Sequence, residues 1–376
     1  MKILQTNFHH GWGGQPARIL MTSRAIADLG HEVVIAAPAG SSLAERARAA
    51  GLSTFEALAF RKPKHVAAAV HDVARLARHL RRERYDLVDA HGSQDLWTCV
   101  LARAISGSPP PLVFTRHNTK RVRGHAANRW LYRRIDHLIL ASGTVRQRYE
   151  PLLRAGVLRP ERLSVVHSAY RTDRFHPGVD GGRLRAELGL QTATPLVGVV
   201  GRLVPDKGQD DFLRAAAEVL SRRADTRFVL VGTGTAEPAL RALAAALGIA
   251  DRVRFLGFRD DVPEITAALT ISVLPSVDCD ASSAVLKEAL ACGVPAVATD
   301  IGGASEILRP GETGLIVPPH DPPRLAQAIL ALLDDPERAR AMGRQGSRDV
   351  AGRFTARRLA EETIAVYTQV LARRPR

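Results

Sequence analysis

Long apolar runs are missing from this 376-residue chain. No stretch approaches the ~18 consecutive apolar residues that a membrane-crossing helix requires, so no such helix is expected. No signal-like apolar segment with a small-residue cleavage site comes first either: the opening MKILQTNF enters a strand pattern at once, and a cytoplasmic location is expected. Cysteine is scarce. Cys99, Cys279 and Cys292 are odd in number and far apart, without a Cys-x-x-Cys pair or a Cys/His cluster. That argues against a disulfide framework and a zinc site, and no metal ligands are expected. Aromatics make up 5% of the chain and no nucleic-acid-binding motif is present, so nucleic acid is not an expected partner. Low-complexity tracts are lacking too.

What remains is a globular composition, 45% hydrophobic and 24% charged, in a chain long enough for two α/β cores. The net charge of +15 is unevenly placed: residues 1–177 hold 28 Lys/Arg against 13 Asp/Glu, and residues 178–376 hold 25 of each. Two stretches concentrate the excess, Arg75–Arg84 and Arg116–Arg134, the second with seven basic residues and no acid. Such a face attracts polyanions, anionic lipid among them. A solvated, arginine-rich surface accounts for the charge equally well.

Hydrophobic periodicity organises the chain as alternating strands and helices. Strands are expected at Lys2–Gln5, Glu32–Ala36, Leu87–Ala90, Leu112–Thr115, His137–Ala141 and Leu163–His167. Helices are expected at Ala17–Leu29, Val66–Arg84, Leu96–Ile105 and Asn128–Arg133. A polar, Gly/Pro-rich stretch over 168–195 interrupts the pattern. It then restarts with strands at Leu196–Gly201, Phe228–Gly232, Val253–Gly257, Ile271–Pro275, Ala296–Thr299 and Gly314–Val317. This alternation predicts parallel sheets covered on both faces. The expected domains are 1–175, 176–354, and a terminal helical segment 355–376 free to cross back to the first domain.

Two constellations carry chemistry. The strand Leu196–Gly201 runs into Arg202 and Lys207, five residues apart, before a helix from Gln209; cations at a strand end beside a helix N-terminus suit a phosphate. A salt-bridged surface loop is the plainer explanation of that pair taken alone. Farther on, Asp280 and Glu288 stand eight residues apart, with small residues Ala281, Ser282 and Ser283 leading into a helix. There backbone amides can approach a ligand, and Glu288 can accept hydrogen bonds from ribose hydroxyls; an ordinary helix-surface acid is the alternative.

Together these residues resemble the retaining GT-B glycosyltransferases of the GT4 family (glycosyl transferases group 1). The motif GRL-x(3)-KG is intact from Gly201 to Gly208. The paired acids fall on Asp280 and Glu288. Then follow Ala291, Gly293, Pro295 and Thr299, the pair Gly302 and Gly303 with Glu306, and Gly311 to Asp321, all at the family's spacing. The resemblance implies an α/β GT-B fold, two Rossmann-like domains whose parallel sheets face a central cleft, the first binding the acceptor and the second the donor. It further implies that Arg202 and Lys207 hold the diphosphate of a nucleotide-sugar donor, that Glu288 binds its ribose, and that Asp280 with the amides of Ala281 to Ser283 contacts its sugar. Gly201 belongs to the same loop, Arg254 and Phe255 would lie against the nucleobase, Gly13 and Gly14 would approach the diphosphate, and His117 would reach the sugar. No cofactor or metal is implied. The acceptor would be a glycan or a lipid-linked glycan, as in envelope polysaccharide or lipopolysaccharide synthesis, with peripheral attachment to an anionic membrane through the basic first half. Two departures stand out: Asp280-Ala-Ser-Ser replaces the usual Glu-Gly-Phe-Gly, and His167-Ser-Ala-Tyr170 replaces Asn-Gly-Val-Asp. An epimerase of the same fold and a non-catalytic nucleotide-sugar binder remain as alternatives.

Overall fold

The computed structural model describes residues 1–60, 66–107, 109–117, 122–278 and 281–373. Its contacts divide the chain into two compact units: Met1–Ser168 with Ala356–Arg376, and Ala169–Thr355.

The first unit holds β1 (Lys2–Thr6), β2 (Glu32–Ala36), β3 (Ser53–Phe55), β4 (Leu87–Ala90), β5 (Leu112–Arg116), β6 (His137–Leu140) and β7 (Leu163–Val165). They form one sheet in the order β3-β2-β1-β4-β5-β6-β7. Every pairing in it is parallel. Helices cover both faces, so interior strands such as β4 are buried at every residue and read as apolar runs. The helix Ala356–Ala372 packs on the helix Gly14–Asp28, which brings the end of the chain onto the first sheet.

The second unit holds β8 (Leu196–Val200), β9 (Arg227–Val231), β10 (Val253–Gly257), β11 (Ile271–Leu274), β12 (Ala296–Thr299) and β13 (Gly314–Val317). Their order is β10-β9-β8-β11-β12-β13, again all parallel. The helix Gln209–Arg222 shows how the core is built. Phe212, Leu213, Ala215, Ala216 and Val219 recur at helical spacing and are all buried, while Asp210 and Asp211 sit in the first turn, where the helix dipole favours acids. Phe212 meets Phe228 of β9 edge to face at 5.7 Å, and burying one such side chain stabilises the fold by about 1.5–3 kcal/mol.

The structure departs from the sequence reading in several places, among them the helix expected from Leu96, which starts at Ser93, and the strand expected to reach His167, which ends at Val165. It adds the helix Ser42–Ala49 and the edge strand β3. The first helix starts at Gly14, three residues earlier than expected, because Pro16 suits a first helical turn. The first unit ends at Ser168 rather than 175 because Tyr170 and Phe175 insert into the core of the second, beside Leu286, Leu290 and Phe354. Among the described residues no helix is long and apolar enough to cross a membrane.

Each sheet reverses its strand order once: between β1 and β4 in the first, and between β8 and β11 in the second. Helices leave opposite faces of the sheet at such a point, opening a crevice at the carboxyl ends of the two strands. The loops after β8 and β11 and the glycines after β1 lie there, while His117 follows β5 and Arg254 and Phe255 lie on the edge strand β10.

Candidate active site

In the second unit, β8 ends at Val200, and Gly201 and then Arg202, an exposed side chain, follow. The loop is pinned from several sides. Leu203 donates its N–H to the Thr233 carbonyl at 3.0 Å, and the buried Gln209 donates from Nε2 to the Arg202 carbonyl at 2.8 Å. Val277 and Asp278, just past β11, donate their N–H groups to the Asp206 carbonyl at 3.1 and 3.3 Å. Lys207 closes a short 3-10 turn, and its Nζ lies 3.5 Å from Ser276 Oγ. At Gly208 the backbone is left-handed, φ 63°, and a Cβ there would lie 2.0 Å from the Pro275 carbonyl oxygen. The loops after β8 and β11 therefore touch through backbone, with Arg202 exposed and Lys207 half-buried. A pocket lined by Gly201, Lys207, Gln209, Ser276 and Ser283 lies at this point.

The helix Ala284–Ala291 starts beside that pocket. Ser283 caps it, its Oγ accepting the Leu286 N–H at 3.3 Å. Lys287 is fully buried, donates from Nζ to Ser282 Oγ at 2.7 Å, and lies over the Phe354 ring at 5.0 Å. Glu288 stands in the second turn, half-buried, and its carboxylate meets no hydrogen-bond partner among the described residues. Burial pushes that carboxyl up to about 7 against the opposing charges of Lys287, Arg174 and Arg171. Ala281 and Ser283 are buried, Ser282 half-buried. Asp280 lies outside the described residues. Arg254 and Phe255 are on the edge strand β10, Arg254 exposed and Phe255 with the Arg241 guanidinium 4.3 Å from its ring centre.

In the first unit, Gly13 precedes the helix Gly14–Asp28, whose first turn contains no acid. A Cβ on either Gly13 or Gly14 would meet nothing within 4 Å, so the packing of the unit does not itself call for glycine there. His117 follows β5 and is largely buried. Its Nε2 lies 2.8 Å from Nδ1 of the buried His91, just past β4. Burial, with the charges of Arg18 and Arg116 adding to it, holds the His117 imidazolium well below the ordinary histidine range, and burial holds that of His91 at about 3. Both rings are neutral near pH 7.

Around them the ends of β1 and β4 bury a polar cluster that motif reading missed. Gln5, Thr6, Asp89 and Asp95 are at most 1% exposed. Asp95 Oδ2 accepts from Thr6 Oγ1 at 2.8 Å and from the N–H groups of His91 and Gly92 at 2.9 and 3.1 Å. Burial raises the Asp89 and Asp95 carboxyls to about 7. The signal was in the strand sequences: Gln5 in Ile-Leu-Gln-Thr and Asp89 in Leu-Val-Asp-Ala interrupt runs that would otherwise be wholly apolar.

The profile of the family described as Glycosyl transferases group 1 matches residues 182–349, and that of Glycosyltransferase Family 4 matches residues 12–174. D-inositol 3-phosphate glycosyltransferase 2 of Catenulispora acidiphila is 32% identical over 395 residues, covering 95% of this chain and 90% of that protein. The chain belongs to the GT4-type glycosyltransferases. A second member of this glycosyltransferase family, the D-inositol 3-phosphate glycosyltransferase of Acidothermus cellulolyticus, is 41% identical over 226 residues. That match takes in 57% of this chain but only 50% of the relative's length. Among solved structures, Anabaena HepE in complex with UDP shares the fold at a TM-score of 0.84 and 22% identity, covering 98% of this chain and 100% of that one. The two parallel-sheet units are thus those of a GT-B glycosyltransferase.

Proposed function

We propose that the protein moves a hexosyl group, with retention of anomeric configuration, from a nucleotide-diphosphate sugar to a glycan or lipid-linked acceptor of envelope polysaccharide or lipopolysaccharide synthesis. The observation that carries this reading is the pinned β8 loop. It presents Arg202 and Lys207 beside a pocket next to the helix of Glu288, a half-buried carboxylate without a hydrogen-bond partner among the described residues. In that assignment the two cations bind the diphosphate and Glu288 accepts from the ribose hydroxyls. Ala281, Ser282 and Ser283 offer amides to the sugar, together with Asp280, and Arg254 and Phe255 take the base. Gly13, Gly14 and His117 are assigned to the diphosphate and sugar from the first unit.

In the reaction the C1–O bond to the β-phosphate breaks and its electron pair leaves with the phosphate. The acceptor oxygen bonds to C1 on the same face, and its proton passes to the departing phosphate oxygen. Negative charge grows on that phosphate as the sugar becomes oxocarbenium-like, so cations already in place lower the barrier. With Arg202 and Lys207 neutralising the charge, the reaction needs no metal.

The test is to incubate the protein with nucleotide-diphosphate sugars and acceptors, with and without EDTA, and to assign the product anomer by NMR. A retained anomer insensitive to EDTA, lost in Arg202→Ala and Lys207→Ala, supports the proposal. An inverted product, or loss of all activity on chelation, sinks it. Free nucleotide released with an epimerised sugar and no acceptor selects the epimerase, and binding without turnover selects the binder. Arg75, Arg78, Arg81, Arg82 and Arg84 are exposed around the helix Val66–Glu83, and with the Arg116–Arg134 stretch they are proposed to dock on anionic lipid. Liposome co-sedimentation that ignores salt and lipid charge overturns that part.

A further inference from the structure

The buried polar cluster of the first unit has a direction, and it ends at His117. Asp89 accepts the hydroxyl hydrogen of Tyr367 at Oδ2, 2.6 Å away, and that of Thr115 at 2.9 Å. Tyr367 stays a phenol, since burial beside Asp89 lifts its titration far above the usual tyrosine range. Above about pH 7, where Asp89 is ionised, its single hydroxyl hydrogen is spent on that carboxylate, so toward Gln5 it can only accept, and Gln5 Nε2 donates to it at 3.0 Å. The Gln5 amide is therefore oriented with Oε1 toward His91 Nε2, and that oxygen has no hydrogen to give. The other group near His91 Nε2 is Asp89 Oδ2 at 3.7 Å, also an acceptor. His91 must carry its hydrogen on Nε2. As a neutral ring it leaves Nδ1 bare, and the 2.8 Å contact with His117 then requires the hydrogen of His117 to be on Nε2.

We infer that the relay His117→His91→Gln5→Tyr367→Asp89 fixes His117 in the Nε2–H tautomer with a bare Nδ1, so that the ligand group His117 meets must be a hydrogen-bond donor. The class this selects is a neutral sugar presenting a hydroxyl or amide N–H at that point. A carboxylate or phosphate placed there would face a second lone pair and is rejected. His91, Gln5 and Tyr367 are positioning residues in this scheme, acting through His117 as outer partners of a histidine fix its tautomer. The inference rests on the assignment of His117 to the transferred sugar, but the tautomer can be read without any substrate.

The experiment uses the full chain labelled with 15N at histidine. Long-range 1H–15N spectra are recorded near pH 8.5, where Asp89 is ionised, with His117 assigned by its absence in His117→Gln. The expected result is a protonated Nε2 and an unprotonated Nδ1. His91→Phe should release the ring into an average of both tautomers, whereas His91→Asn, whose side-chain oxygen still accepts near the same place, should keep it locked. In turnover, His91→Phe should lower kcat by about 10- to 100-fold with the donor KM little changed, and His91→Asn should recover most of it. A wild-type ring with its hydrogen on Nδ1, or a lock that survives His91→Phe, overturns the relay. A tautomer lost without any change in kcat overturns its role toward the ligand. Failure of every nucleoside-diphosphate sugar, whatever its base, to bind the wild type would strike the proposed donor site and leave the spectrum untouched. Tyr367→Phe serves as the second variant should His91→Phe not fold, with the same averaging expected.

Discussion

Tyr367 gives its hydroxyl hydrogen to Asp89 at 2.6 Å although 278 residues separate them in the chain. The bond ties the last helix to the carboxyl end of β4, and with Gln5 Nε2 accepted by the same hydroxyl it links β1 as well. Burial of Asp89 is offset by the Tyr367 and Thr115 hydroxyls and by the charge of the buried Arg18, whose NH2 group donates to the Val166 carbonyl at 2.6 Å. Tyr367→Phe leaves the ring packing and removes one charge-assisted bond, a loss of about 1–3 kcal/mol. The unfolding transition of the first unit should move to lower denaturant by that amount. An unchanged midpoint would show that the bond contributes nothing net.

Gly208 offers a sharper structural test. Alanine there must hold a left-handed backbone, at about 1–2 kcal/mol, and also place its Cβ 2.0 Å from the Pro275 carbonyl oxygen. The loop cannot keep both Lys207 and the β11 contact in place. Gly208→Ala is expected to lower nucleoside-diphosphate affinity at least ~10-fold in calorimetry, a loss of about 1.4 kcal/mol. Gly248→Ala is the control: its φ of 71° carries similar backbone strain, but its Cβ points into open space. It should cost some stability and leave affinity alone. Equal affinities for the two variants would refute the claim that the loop positions the diphosphate cations.

How much of this was readable from sequence follows from where each signal resides. Strands such as β8 and β12 stood out because burial on both faces makes them unbroken apolar runs between turn residues. Strand β3 did not: it has three residues at the sheet edge, exposed or half-buried, with two hydroxyl side chains. Arg202 and Lys207 were legible because their spacing is local. The relay was not, because Gln5, Asp89, His91 and Tyr367 meet only once the sheet order sets β1 beside β4 and the last helix returns to them. The burial of Lys287 was hidden for a related reason. Its cover includes Phe354, which precedes the last helix and reaches it only in the fold.

His137 makes the stability of the first unit depend on pH. It is 1% exposed on β6, with Nε2 2.8 Å from Ser164 Oγ, and burial beside the charges of Arg373 and Arg162 lowers its pKa to about 4. Between that value and the unfolded one near 6.5, the unfolded chain binds a proton that the folded one refuses. Its contribution is therefore complete above pH 6.5 and is lost as pH falls toward 4, by roughly 2–3 kcal/mol. Asp89 and Asp95, raised to about 7, act with the opposite sign, so the measurement has to be a difference. Urea unfolding of wild type and His137→Asn at pH 7 and pH 4.5 should show the wild type losing more stability on acidification. Parallel losses would rule this source out.

Glu288 predicts how nucleotide binding responds to pH. Its carboxyl titrates at about 7 because burial opposes the charge, and no hydrogen bond from the described residues stabilises the anion. Ribose hydroxyls donating to it would stabilise the ionised form, so binding lowers its pKa and expels a proton. Affinity for the nucleoside diphosphate should then rise as pH passes upward through about 7 and level off above it. At pH 7, calorimetry in buffers of different ionisation heat should register a fractional proton release. Glu288→Gln cannot titrate at that position: it should bind more weakly at high pH, approach wild-type affinity below pH 6, and release fewer protons than wild type, any remainder coming from the ligand's own phosphate. A wild-type affinity flat across this range, or proton uptake on binding, would place the ribose elsewhere. The terminal phosphate of a nucleoside diphosphate also ionises at about pH 6, so the part of the slope that belongs to the carboxylate is the difference between wild type and Glu288→Gln.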